Sequence, residues 1–274
     1  MLSPIEKPLP LISCLMVTAN GRFEYLKRSV QCYIDQIYPN KELVIVNEGS
    51  QEYQNQIIQY VQILNRVDIR TEFLNNQYTL GSLRNISIAL ANGEIFVQWD
   101  DDDFNAPNRL ITQYSFLYRH PKVQVCYLSD QFHYYFHTNE LYWEDWGKYL
   151  SHGNIKYMLI PGTIMAYKKD LPARYPSSGT KCRTGEDTVF SNQLLRLGVN
   201  VKVLSGYGNL QVYSFHGKNV FDLEHHQVLS RVRSYYRSEM IEKRALINKT
   251  LNYFKFGEIK VMGRDGLAFI HGEK

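Results

Sequence analysis

Long apolar runs are missing from this chain, and that absence excludes a membrane span. No stretch of the 274 residues approaches the ~18 consecutive apolar residues such a helix needs. The run Leu11–Val17 is too short, and Thr18-Ala19-Asn20-Gly21 follows it without a cleavage pattern. It reads as a first strand rather than a signal peptide. Cysteine is scarce as well. Cys14, Cys32, Cys126 and Cys182 are far apart and form no CxxC pair, so no zinc motif or disulfide framework is visible. A reducing compartment, the cytoplasm, is expected. Charge of one sign is modest, at a net +4, which excludes the strongly basic face of a nucleic-acid binder. There is no internal repeat, no low-complexity segment and no Gly-rich phosphate loop near the start. Thr18-Ala19-Asn20-Gly21-Arg22 is not such a loop, which weighs against a nucleotidyltransferase.

What is present is an ordinary globular balance, 44% hydrophobic and 21% charged, enough for one large α/β domain with or without a tail. Aromatic residues are abundant: 21 Tyr, 13 Phe and 3 Trp. Their flat faces stack on sugar rings and bases, and equally on each other in a core.

The three prolines of Met1–Pro10 mark an irregular lead-in. After it, apolar runs alternate with amphipathic stretches. Leu11–Val17, Leu43–Val46 and Ile95–Trp99 read as buried strands, and Val67–Phe73 alternates with period two as a half-wet one. Phe23–Gln36, Tyr53–Leu64 and Leu80–Ala91 carry helical spacing, the last stopped by Asn92-Gly93. The β-α-β-α-β-α-β order implies a largely parallel sheet flanked by helices. Further on, a helix opens at Pro107 and runs to about Arg119. Val123–Leu128, Tyr157–Tyr167, Val199–Leu204 and Leu210–Phe215 read as strands, with a helix after Thr184-Gly185-Glu186-Asp187. Residues from about Glu224 to Tyr253 are basic and helical.

The informative stretch is Trp99-Asp100-Asp101-Asp102-Asp103. Four adjacent carboxylates repel unless something cationic neutralises them. Their place at the C-terminal end of a buried strand is where open α/β sheets bind ligands. A hard divalent ion such as Mg²⁺ or Mn²⁺, with phosphate oxygens completing its shell, satisfies both constraints. A solvated acidic turn is the alternative that the run alone leaves open.

Four blocks in order resemble a family 2 glycosyltransferase of the GT-A fold over about Leu11–Phe215. They are Leu11–Asn20, then Glu42–Ser50 (similar to "VDDGS"), then Gly81-Ser82-Leu83-Arg84-Asn85 with Ala89–Asp103, Pro107 and Leu110, and last Gly185-Glu186-Asp187. The resemblance implies an α/β GT-A domain over 1–220, with a nucleotide-binding half at about 11–103 and an acceptor half at about 104–220. A basic, largely helical C-terminal extension would occupy 221–274. It also implies a metal-dependent, inverting transfer of a hexose or N-acetylhexosamine. The donor would be a nucleotide sugar, UDP-linked, and the acceptor a glycan or lipid-linked glycan of surface polysaccharide or lipopolysaccharide type.

Residue by residue, the resemblance puts Thr18 and Asn20 near the nucleoside. It puts Glu48 on the base, where Asn47 replaces the family's first Asp, and Arg84 on a phosphate or the base. Asp102 would bind Mn²⁺ or Mg²⁺ most directly. Asp100 or Asp101 would contact ribose or reach the metal through water, and His216 would be a further metal ligand. Asp187 is the expected general base, with Glu186 the close alternative, since both also suit a helix N-terminus. Trp143 and Trp146, within the aromatic stretch Phe132–Tyr149, are candidates for stacking an acceptor sugar, against plain core or lid packing. The basic C-terminal helix offers a peripheral contact with the inner face of an anionic membrane, against a plain solvated face. The rival from another class is a Ca²⁺-dependent glycan-binding protein without catalysis, against which the β-α alternation argues.

Overall fold

Apolar runs punctuated by turn residues become strands, and the amphipathic stretches between them become the helices that cover both faces. The computed structural model describes residues 8–272 except 76, 150, 151, 170, 218 and 220. Most of the expected lead-in, residues 1–7, lies outside the described residues. The first half runs β1 (Ile12–Thr18), α1 (Phe23–Ile34), β2 (Lys41–Asn47), α2 (Gln51–Leu64), β3 (Ile69–Phe73), α3 (Leu80–Leu90) and β4 (Ile95–Gln98). Ser50 caps α2 by accepting from the Tyr53 amide, and Thr79 caps α3 by accepting from that of Ser82. Val67 lies before β3 and is fully exposed.

The second half runs β5 (Phe104–Asn105), α4 (Arg109–Arg119), β6 (Val125–Leu128), β7 (Asp130–Tyr135), β8 (Glu140–Asp145) and β9 (Met165–Tyr167). Then come α5 (Glu186–Arg196), β10 (Val201–Leu204), β11 (Gln211–Phe215), α6 (Leu223–Arg233), α7 (Arg237–Glu242), α8 (Arg244–Tyr253), β12 (Ile259–Gly263) and β13 (Gly266–His271). One seven-stranded sheet has the order β10-β6-β9-β4-β1-β2-β3. It is parallel except for β9, which is antiparallel to β4 and β6. Alternate residues of β1 divide its two faces. Cys14 and Met16 pack towards α1, α2 and α4, and Leu15 packs towards α3 and α5.

A second sheet, β13-β12-β8-β7-β11-β5, stands beside the first. The aromatic stretch folds into its β7–β8 hairpin. The basic region forms α6, α7 and α8 and then a hairpin, β12–β13, whose β12 adds in parallel to β8. Tyr235, Met240, Ile247, Leu251 and Val261 thereby share one apolar core with Leu141 and Trp143.

That core decides Trp143. The ring is 1% exposed, packed edge-on against Phe132 at 4.9 Å and Tyr235 at 5.4 Å. Its Nε1 donates to Asp130 Oδ2 at 2.8 Å. Backbone amides of Gly206, Tyr207 and Gly208 donate to the same carboxylate. The expected acceptor platform at Trp143 is therefore corrected: burial of its apolar faces and satisfaction of its N–H put the ring in the core. Trp146 is half-buried, with the Arg233 guanidinium 3.8 Å from its ring centre. Trp143→Ala is expected to lose roughly 3–5 kcal/mol of stability, as large aromatic truncations in cores do. An unchanged urea midpoint would return the ring to the surface.

Candidate active site

The site grows from the end of β4. Trp99 prolongs the pairing through its N–H to Leu15 O at 3.0 Å, and its indole N–H reaches Ser29 O at 3.1 Å, beneath α1. The chain then turns, and the four carboxylates go to different partners. Asp100 accepts from Gln98 Nε2 at 3.0 and 3.2 Å and from Arg84 Nη1 at 3.2 Å. Asp101 Oδ1 accepts from Arg22 Nη1 at 2.8 Å, while its Oδ2 is buried without a hydrogen-bond partner among the described residues. Asp102 Oδ2 accepts from Arg22 Nη1 at 2.8 Å and lies 3.0 Å from His216 Nε2. Asp103 points to the second sheet, where Gln211 Nε2 (2.8 Å) and the Ser214 amide (3.0 Å) hold it.

Burial sets opposite proton affinities on neighbours. It pushes Asp101 up to about 7, with the charge of Asp102 adding to the effect. Burial pushes Asp102 up too, but the His216 contact and the Arg22 charge outweigh it and hold it below the usual carboxylate value. Asp103 is raised well above that value by burial and by the charges of Asp102 and Asp100.

Asp100, Asp101 and Asp102 line a cleft of about 360 Å³ together with Thr18, Glu48, Arg84, Glu186 and Asp187. Thr18 Oγ1 is 2.8 Å from the Tyr53 hydroxyl. Glu48 Oε2 accepts from the Tyr78 amide at 2.6 Å. Arg84 is committed to carboxylates: its Nε donates to Glu186 Oε1 at 2.8 Å, so it bridges Asp100 and Glu186. Asp187 opens α5 and is half-buried, with Oδ1 accepting from the Thr188 amide at 2.6 Å. Burial, then the adjacent Glu186 charge, raises it to about 6.

Asn20 does not line this cleft. Its Oδ1 accepts from the Ser50 amide at 2.9 Å, tying the turn after β1 to the start of α2. Arg22, Arg183, Tyr78, Tyr213, Asn219 and Phe221 line the cleft without having been singled out in the sequence. Arg22 had a signal, two positions beyond Asn20 in the first turn. The others depend on chain reversals that no local pattern encodes. Below the turn lies Arg109, fully buried, hydrogen-bonded to Gln113 and to the Gln98 carbonyl and pushed down to about 10 by burial.

No three His, Cys, Asp or Glu side chains among the described residues converge as a ready metal cluster. The donor set still fits a hard divalent ion. Among the described residues, Asp101 Oδ2 is a buried acceptor with no hydrogen-bond partner. The 3.0 Å between His216 Nε2 and Asp102 Oδ2 equals the spacing of adjacent ligands about ~2.1 Å from one octahedral ion. With so few protein ligands, phosphate oxygens would have to complete the shell.

A model of the family described as "Glycosyl transferase family 2" matches residues 13–178. The chain belongs to this family. A putative colanic acid biosynthesis glycosyl transferase, WcaA, of Escherichia coli is 40% identical over 103 residues, 37% of this chain and 36% of that one. An uncharacterized glycosyltransferase of Haemophilus influenzae is 28% identical over 101 residues, 36% of this chain and 30% of that one. The matching segments thus span about a third of these relatives' own length.

Among solved structures, Staphylococcus aureus TarS 1–349 in complex with UDP superposes with a TM-score of 0.59 at 17% identity, over 90% of this chain and 71% of that one. A Pyrobaculum calidifontis mannosyltransferase, PcManGT, in complex with GDP-Man and Mn²⁺ gives 0.55 at 13%, over 89% and 64%. These neighbours show that the family 2 chain has the expected GT-A fold.

The Arg84–Glu186 pair yields a stability test. Arg84→Met leaves the buried Glu186 without its cation and removes one from the partly exposed Asp100, and is expected to cost roughly 3–5 kcal/mol. Adding Glu186→Met should recover part of that loss in urea denaturation; a double variant less stable than the single one would disprove the pairing.

Proposed function

We propose that this chain is a metal-dependent, inverting glycosyltransferase. It would move a sugar from a nucleotide donor, UDP-linked, to a hydroxyl of a growing surface-polysaccharide or lipopolysaccharide-type glycan. The observation that carries the reading is the convergence of Asp100, Asp101, Asp102 and Asp187 on one cleft beyond the end of β4. UDP and UDP-GlcNAc in complex with TarS, and GDP-Man with Mn²⁺ in PcManGT, support a nucleotide-sugar donor and a divalent ion.

In this reading the 11–103 half holds the nucleotide. Glu48 accepts a hydrogen bond from the base and Thr18 borders the nucleoside. Asp102, His216 and Asp100 would hold Mn²⁺ or Mg²⁺, which when bound supplies positive charge to the departing diphosphate. Asp187 takes the proton from the acceptor hydroxyl as that oxygen attacks the anomeric carbon. The bond to the diphosphate breaks on the opposite face, so configuration inverts. Glu186 is less suited to this role, because its Oε1 is held by Arg84 in a buried ion pair. Asp187 borders the cleft, and with its proton affinity raised to about 6 it is ionised at neutral pH yet remains a competent base.

The acceptor would lie along the 104–220 half. No helix among the described residues is long and apolar enough to cross a membrane. Cytoplasmic action at the inner membrane face would use the exposed Arg231, Arg237, Arg244 and Lys249 of α6–α8 to meet anionic headgroups around a lipid-linked acceptor.

UDP with Mn²⁺ should raise the melting temperature of the wild type, and Asp102→Ala should abolish the rise. A metal-dependent shift that survives in this variant would remove Asp102 as the main ligand. Asp187→Asn should keep UDP binding while lowering kcat by roughly 10²–10⁴, the usual contribution of a positioned base. The wild-type kcat should fall as pH drops through about 6, where Asp187 becomes protonated. A flat acidic limb, or full turnover by Asp187→Asn, would assign the base elsewhere.

A further inference from the structure

The turn after β1 brings a built-in cation over the acidic turn. Arg22 occupies the N-cap position of α1, and its side chain borders the cleft. Its Nη1 lies 2.8 Å from Asp101 Oδ1 and 2.8 Å from Asp102 Oδ2. The contact is largely withdrawn from solvent, since the Arg22 side chain is 22% exposed and that of Asp101 only 3%.

Asp102 Oδ2 is thus approached by two groups, Arg22 Nη1 and His216 Nε2. A carboxylate oxygen offers about two lone-pair directions, so both are spoken for. A divalent ion can claim this oxygen only if one of the two yields. The imidazole can stay in place once Nε2 passes its proton to Nδ1 or to solvent, because a neutral ring nitrogen that carries no proton is itself a metal ligand. The guanidinium has no lone pair to give, and its charge repels the ion at close range. A diphosphate in the same cleft is the partner that its planar fork of donors fits.

We propose that Arg22 is an exchangeable counter-ion of the acidic turn. It neutralises Asp101 and Asp102 until a divalent cation arrives with the nucleotide, then gives up Asp102 and turns to the diphosphate. This rests on the reading of the cleft as a nucleoside-diphosphate site. The acids then bind the cation weakly by themselves, and cation and nucleotide bind with positive coupling. The exchange is a property of Arg22, separate from the chemistry of transfer.

The test is Mn²⁺ binding by the full chain without nucleotide, followed by the electron paramagnetic resonance of the free ion. Removing the competing charge in Arg22→Gln should tighten Mn²⁺ binding roughly tenfold, and the same variant should bind UDP roughly tenfold more weakly at saturating Mn²⁺. Arg22→Lys keeps the charge and should bind Mn²⁺ within about threefold of the wild type, even though its ammonium lacks the fork. This second variant also guards against a fold defect in the first, which circular dichroism monitors. Unchanged or weaker Mn²⁺ binding by Arg22→Gln overturns the proposal, as does unchanged UDP affinity or an Arg22→Lys protein that behaves like Arg22→Gln. A wild type that binds no UDP at any Mn²⁺ concentration overturns the transferase reading instead, and the Mn²⁺ comparison alone then decides whether Arg22 is a counter-ion.

Discussion

Neutralisation of Asp100–Asp103 is the constraint on which this molecule depends. Four adjacent carboxylates beside a buried strand would drive the turn apart if left to themselves. Each instead receives its own donors: Arg84 and Gln98 at Asp100, Arg22 at Asp101, Arg22 and His216 at Asp102, and Gln211 with the Ser214 amide at Asp103. Those donors come from both sheets, from α3 and from the N-terminus of α1. Meeting the charge and joining the halves of the molecule are therefore one event. Asp103 links the end of β4 to β11, Arg84 links α3 to α5, and the Arg28 guanidinium on α1 donates to the Asp102 carbonyl.

The same arrangement gives the cleft its chemistry. Because the donors other than Arg22 are fixed by the fold, the carboxylates are largely oriented before any ligand arrives, and electrostatic preorganisation of this kind does not have to be rebuilt during a reaction. It also separates the acids by proton affinity. Asp102 is held in its charged form, Asp101 has a high proton affinity and an oxygen without a partner among the described residues, and Asp187 sits on another element with an intermediate affinity.

Much of the frame was legible because its signals are local. The alternation from Leu11 to Asp103 is a matter of runs and spacing within each segment, and the acidic block announces itself by composition alone. Glu48 and Asp187 were singled out by the resemblance of their blocks to the family's, and both border the cleft. What stayed hidden depends on residues far apart in the chain. Arg84 meets Glu186 across 102 positions, so a cation expected to face a ligand is found between two carboxylates. Trp143 turned inward because Tyr235 and the Asp130 carboxylate receive it, and nothing near residue 143 reveals either. The β12–β13 hairpin, with its apolar run Leu267-Ala268-Phe269-Ile270, was missed because its strands are short and β12 takes its place from β8, far back in the chain.

The position of Ile259–Gly263 beside Glu140–Asp145 also matters while the chain is being made. Strands β1 to β4 can pair once the first hundred or so residues have emerged from the ribosome. Strand β8, by contrast, keeps an open edge until residues beyond 259 are out. For that interval the nascent chain carries an aromatic strand with one edge unpaired. Chaperone capture, or association between neighbouring nascent chains, is most expected at this edge.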